Sequence, residues 1–100
     1  MEQKIREVIF LPIAEAAIEN IGTHIAENGY PDTAEMYVNR LIRFANSLSS
    51  LSERYPICRH KYFAINNLRC AVFEKTYIFV YKILGNNLII YNVIHGNRLQ

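Results

Sequence analysis

Val8 to Leu11 is an unbroken β-branched and aromatic run closed by Pro12. It is too short for a helix and predicts a strand buried on both faces. Pro12 then suits the first turn of a helix, where a missing N–H costs nothing. Ala14, Ala17, Ile18, Ile21 and Ile25 follow at three- and four-residue spacing, with Glu15, Glu19, Thr23 and Glu27 on the opposite side, the stripe of an amphipathic helix. Asn28-Gly29 supplies its C-terminal cap. Pro31 opens a second helix, and Asp32 and Glu35 set negative charge at the positive end of its dipole. Ala34, Tyr37, Val38, Leu41, Ala45 and Leu48 form the stripe, widened by Phe44 and Leu51. The connection of two to four residues makes the pair an antiparallel helical hairpin. Ser47, Ser49, Ser50 and Ser52 weaken the last turns before Pro56 stops the helix.

After Pro56 the period changes from 3.6 to 2. Leu68, Cys70 and Val72 alternate with Arg69, Ala71 and Phe73, and Tyr77, Phe79, Tyr81 and Ile83 with Ile78, Val80, Lys82 and Leu84. Glu74-Lys75-Thr76 is turn-compatible, Gly85-Asn86-Asn87 tolerates positive φ, and Leu88 to Ile94 reads as the last strand. Lys61 to Ile65 adds a short edge strand. The fold class is therefore α+β: an N-terminal strand, an antiparallel helical hairpin, then a three- to four-stranded antiparallel sheet with the hairpin on one face. The other face carries mixed aromatic and basic residues, where function can lie.

Composition narrows this further. One hundred residues, 51% of them hydrophobic and 20% charged, make one folded domain over 1–100 and exclude a two-domain enzyme. Cys58 and Cys70 match neither C-x-x-C nor zinc-ligand spacing, and read as small buried hydrophobes in a reducing cytosol. The N-terminus is charged, with no apolar signal-peptide stretch behind it, and no run approaches the ~20 apolar residues of a membrane span. The chain reads as soluble and cytoplasmic, with no membrane partner.

The net charge of +2 hides an asymmetry: residues 1–53 hold four Lys/Arg against eight Asp/Glu, residues 54–100 seven against one. The second half is a basic surface suited to nucleic acid, an acidic peptide or an acidic protein face, unless it is simply a solvated one.

Four glycines, Gly22, Gly29, Gly85 and Gly96, form neither a dinucleotide fingerprint nor a phosphate loop. His24, His60 and His95 lack paired ligand spacing, and the serines of 47–52 lack G-x-S-x-G. No cofactor, no metal site and no covalent hydrolase centre are expected. What remains is Arg59, Lys61, Arg69, Lys82, His95 and Arg98 interleaved with Tyr62, Tyr77, Tyr81 and Tyr91. Such a set grips single-stranded nucleic acid through charge and stacking. It can also cleave RNA, with His95 as acid or base and arginines on the phosphorane, or anchor an acidic protein. On half-buried strands these tyrosines equally serve as packing, and His95 as a structural hydrogen-bonding group.

Over Val8 to Arg98 the chain resembles the ParE/RelE superfamily of toxins from bacterial type II toxin–antitoxin systems. Leu11-Pro12-Ile13-Ala14-Glu15-Ala16-Ala17-Ile18-Glu19-Asn20-Ile21 is similar to the family's strand-to-helix junction and first helix, and Tyr37-Val38-Asn39-Arg40-Leu41 to its second helix. Leu68-Arg69, Tyr77-Ile78-Phe79-Val80-Tyr81-Lys82 and Ile89-Ile90-Tyr91-Asn92-Val93-Ile94-His95-Gly96-Asn97-Arg98 are similar to its closing strands, the His-Gly-x-Arg ending being the most specific match. The resemblance implies the RelE/ParE toxin-like fold and one of two mechanisms. RelE-like members are ribosome-dependent endoribonucleases, and their strand places an arginine just after the tyrosine; here that position is Ile78. ParE-like members block DNA gyrase, and the ending here looks ParE-like.

The expected function is therefore a plasmid-stabilisation toxin that binds DNA gyrase and is neutralised by a cognate antitoxin in a hetero-oligomer. Arg69, Tyr81, Lys82, His95 and Arg98 would contact target or antitoxin, and no catalytic residue is required. The alternatives are a ribosome-dependent mRNA endoribonuclease using Arg59, Lys61, Arg69 and His95, with ribosome and mRNA as partners, and a non-toxic interaction module of the same fold.

Overall fold

The computed structural model describes residues 5–98. The elements follow the order β1 (Glu7–Phe10), α1 (Pro12–Glu27), α2 (Pro31–Leu51), α3 (Lys61–Ile65), β2 (Arg69–Phe73), β3 (Tyr77–Leu84) and β4 (Asn87–His95), closed by a 3-10 turn over Gly96–Arg98. Both long helices begin with proline in the first turn, as the sequence predicts. Asn28 ends α1 by donating from its side chain to the His24 carbonyl at 2.9 Å, and Gly29 turns the chain at φ 91°. Where α1 crosses α2, a Cβ on Gly22 would lie 2.8 Å from Val38 Cγ2, so this glycine lets the helices approach.

β2, β3 and β4 form the expected antiparallel meander, and Gly85, at φ 60°, takes the first central position of the β3–β4 turn, where a two-residue hairpin needs glycine. The expectation of a purely antiparallel sheet needs correction. The strand order is β1-β4-β3-β2, and β1 pairs in parallel with β4, Glu7 opposite Asn87 through Phe10 opposite Ile90. No local pattern in β1 encodes that choice of partner. β1 is also an edge strand with one open face: Val8 and Phe10 pack on the core while Ile9 is 37% exposed, so it is not buried on both faces. Lys61–Ile65 forms a single turn of α-helix, not an edge strand, with Tyr62 and Ile65 in solvent.

The helical hairpin covers one sheet face. Ala14, Ile18, Leu41, Ala45 and Leu48 meet Ala71, Phe73, Phe79, Tyr81, Leu88, Ile90 and Val93. Alanines at the helix contacts allow close approach, and Phe44 fills the gap with its ring 5.1 Å from that of Phe79. On the opposite face a smaller cluster of Cys58, Leu68 and Val80, with Phe63, Cys70, Ile78 and Ile94, roofs part of the sheet with the segment 56–68. That segment is tied down by main-chain bonds, the Cys58 N–H donating to the Leu68 carbonyl and the Cys70 N–H to the Pro56 carbonyl. The two cysteines, diagonal neighbours across the Ile57–Arg69 bridge, are joined in a disulfide, Cα to Cα 5.0 Å, which corrects the reading of them as small buried hydrophobes.

Candidate partner-binding cleft

β1 is four residues long and β4 nine. After Ile90 receives the Leu11 N–H at 3.0 Å, β1 turns into α1 and leaves the sheet. Tyr91 to His95 therefore pairs with β3 on one side only. The register shifts at Val80/Tyr81, where Val80 faces Asn92 and Tyr81 faces Ile90, leaving Tyr91 as the extra residue of a bulge. Beyond it the alternation is reset: Gly96 N–H donates to Thr76 on the β3 side at 2.8 Å, so Val93 and His95 direct their main-chain groups to the free side. The Val93 N–H is met there by the Asn92 side-chain oxygen at 2.8 Å.

This free edge forms one wall of a cleft of about 720 Å³. α1 supplies the other wall through Ile13, Ala16, Ala17, Asn20, Ile21 and His24, and Tyr77 lies at its end. The small alanines keep the cleft open. His95 is held at its rim: its ring meets that of Tyr77 edge-on, 5.4 Å between centroids, and Nδ1 accepts from the Asn97 N–H at 3.2 Å. That bond assigns the proton to Nε2 in the neutral imidazole and leaves an N–H donor. Among the described residues, the lining holds two imidazoles, His24 and His95, and no carboxylate.

A family model described as the ParE toxin of the type II toxin–antitoxin system parDE matches residues 8–100. The chain belongs to the ParE toxin family. No curated protein matches it significantly. Among solved structures it is similar to a chain of the chromosomal ParDE toxin–antitoxin system from P. aeruginosa, at 13% identity and a TM-score of 0.78, covering 92% of this chain and 97% of that one. At such low identity the likeness speaks for the ParE fold alone.

On this ParE fold the sequence-predicted site residues are dispersed. Arg59 and Lys61 line a second cavity, of about 650 Å³, beside the outer edge of β2, together with His60. His95 belongs to the α1–β4 cleft, and the two cavities share no residue. Arg69 is partly buried and donates from its guanidinium to the Tyr55 carbonyl, so it ties a loop to β2 rather than presenting a free charge. Tyr81 is fully buried, and its hydroxyl donates to the Ser52 carbonyl at 2.6 Å. Burial pushes its phenol up to about 12, and that burial removes it from the residues a partner can touch. Lys82 is half-buried on the face turned away from the long helices. The side chain of Arg98 lies outside the described residues. Ile78 packs into the smaller apolar cluster with Val80 and Leu68. The α1 residues of the cleft escape the sequence reading, although the Ala14-Glu15-Ala16-Ala17 stretch and the unequal lengths of the first and last strands are both visible there.

Among the described residues, no helix is long and apolar enough to cross a membrane, and no cluster of His, Cys, Asp or Glu has the makings of a metal site.

Proposed function

We propose that this ParE-family chain acts by binding DNA gyrase and is neutralised by an antitoxin segment that lies in the α1–β4 cleft. The observation that carries the neutralisation is the free edge of β4 from Tyr91 to His95 beside an apolar helix wall. An extended peptide can add there as a strand, with main-chain hydrogen bonds for affinity and alternate side chains entering the pocket for specificity. Alanines on the wall fit small or medium apolar side chains, and the His95 Nε2–H suits a carboxylate or carbonyl. A segment disordered before binding would fold onto this surface and cover more of it than a rigid peptide.

The gyrase reading is supported by family membership together with the dispersal of the alternative catalytic set. Arg59 and Lys61 sit at one edge of the sheet, His95 at the other, and Arg69 is engaged with Tyr55. A phosphorane needs its cationic groups converged on one atom. Ile78 fills an apolar cluster where the ribonuclease members resembled by this chain carry an arginine. Lys82 and the Arg59–Lys61 loop, on the face away from the helices, then supply positive charge to the target.

Supercoiling by purified gyrase in the presence of the protein tests the target: inhibition with accumulation of cleaved DNA is expected. Unimpaired supercoiling at excess protein refutes it. The same assay with Ala16→Trp tests the cleft, since Ala16 is exposed and a large ring there fills the space between α1 and β4. Inhibition should persist while the antitoxin concentration needed for relief rises at least tenfold. Unchanged relief would place the antitoxin elsewhere.

A further inference from the structure

The disulfide lies in the wall of the smaller cavity. Both Cys58 and Cys70 line it, with Pro56, Ile57 and Val72 as apolar neighbours and Arg59, His60 and Lys61 as the polar ones. Among the described residues that line it, none is acidic. The two cysteines differ in exposure: Cys58 is 3% exposed and lies within the apolar cluster, whereas Cys70 packs against that cluster and is only partly covered. Arg59 and Lys61 are exposed and charged at neutral pH. A cavity with an S–S bond in its wall and cations at its mouth gathers anions next to an electrophilic sulfur. The segment it would loosen is slight: α3 buries none of its residues, and 56–68 is held by Phe63, the Cys58–Leu68 and Cys70–Pro56 main-chain bonds and the disulfide.

We propose that Cys70 is a site of reversible S-thiolation by a low-molecular-weight thiol of net negative charge, admitted through the cavity lined by Arg59 and Lys61. The thiolate attacks Cys70 Sγ, a new S–S bond forms to it, and the Cys58–Cys70 bond breaks with its electron pair leaving on Cys58 sulfur. Protonation gives the Cys58 thiol. A second thiolate attacks the sulfur of the first, released as a small-molecule disulfide, and leaves Cys70 as a thiol. Two electrons pass from two small thiols to the protein, and the reverse sequence with the small disulfide restores the bond. The exchange removes the covalent tie between β2 and the 56–68 segment, with its three basic residues, and leaves the main-chain bonds Cys58–Leu68 and Cys70–Pro56 as its anchors. Arg59 and Lys61 are also among the cations proposed above to meet the target, but the exchange and its readout by mass require no target.

The test uses the full chain purified without reductant. Reduced glutathione, anionic, and cysteamine, cationic, are added separately at low salt, quenched with acid, and followed by intact mass and peptide mapping. Expected is a mixed disulfide on Cys70, formed about fivefold or more faster per thiolate with glutathione than with cysteamine, a preference that shrinks at high salt as exposed charges are screened. The double variant Arg59→Glu, Lys61→Glu changes exposed side chains only and should reverse the preference. Two free thiols in the untreated protein, an adduct on Cys58, or equal rates for the two thiols in both proteins would each overturn the proposal.

Discussion

Replacing Tyr81 by phenylalanine removes one oxygen from the centre of the molecule. Tyr81 and Ser52 are both buried, and the 2.6 Å bond between the phenol and the Ser52 carbonyl joins β3 to the end of α2. Ser52 is in turn the acceptor for Arg6, whose guanidinium reaches its hydroxyl at 2.7 Å, so the bond sits in a small relay linking the start of β1 to both. The variant keeps the ring and its packing but leaves a buried carbonyl without its donor, which costs about 1–3 kcal/mol at neutral pH. Alkali changes the comparison. The phenol ionises near 10.0 when unfolded and near about 12 in the fold, because burial disfavours the phenolate. Between those values the unfolded chain has lost a proton that the folded chain keeps, so stability falls as pH rises. The wild type should lose about 1.4 kcal/mol through this group by pH 11, and roughly twice that as pH reaches 12. Tyr37, also raised by burial and by Tyr77 and Glu74 beside it, is present in both proteins and drops out of the difference. Urea unfolding followed by circular dichroism at pH 7, 9 and 11 measures the gap directly. It should favour the wild type at pH 7, hold at pH 9 and close by about 1.4 kcal/mol at pH 11. A gap of zero at pH 7, or one that stays constant to pH 11, would refute the reasoning.

Gly22→Ala gains helix propensity of about 1 kcal/mol but drives a methyl to 2.8 Å from a β-branched side chain. A net loss of about 1 kcal/mol is expected from overpacking, and Val38→Ala in the same chain should reverse it; a variant more stable than wild type would show that the helices separate freely. Arg69→Ala should lower the melting temperature by about 5–10 °C, the equivalent of roughly 1–2 kcal/mol for a chain of this length. An unchanged melting temperature would return Arg69 to the surface contacts.

The helices were legible because their signals are local. Proline at Pro12 and Pro31, the alanine and leucine stripes, and Asn28-Gly29 each act within one or two turns. β1 shows the limit of that locality, since its residues state that it is a strand but not which neighbour it takes or on which side it is exposed. Along β3 both alternating sets are apolar or aromatic except at Lys82: Tyr77, Phe79, Tyr81 and Ile83 against Ile78, Val80, Lys82 and Leu84. Periodicity there cannot assign a face, so the pattern leaves Tyr81 open as a contact or as packing, and the helices cover it. Five residues of α3 are too few for a helical period to show. The disulfide depends on main-chain bonds from Cys58 to Leu68 and from Cys70 to Pro56, a pairing invisible in a spacing of twelve. The cleft is likewise tertiary: it exists because β1 stops before β4 does.

The pairing of Glu7 with Asn87 also orders events in time. On the ribosome, β1 emerges before everything it must join, and its partner is the last strand to be made. Until β4 is released the nascent chain has no Leu88, Ile90 or Val93 to close its core, and the longest loop-closure cost in the fold stays unmet. A translation product cut short before residue 87 would close neither the core nor the cleft, so the same late strand completes the folded molecule and the surface proposed to hold its inhibitor.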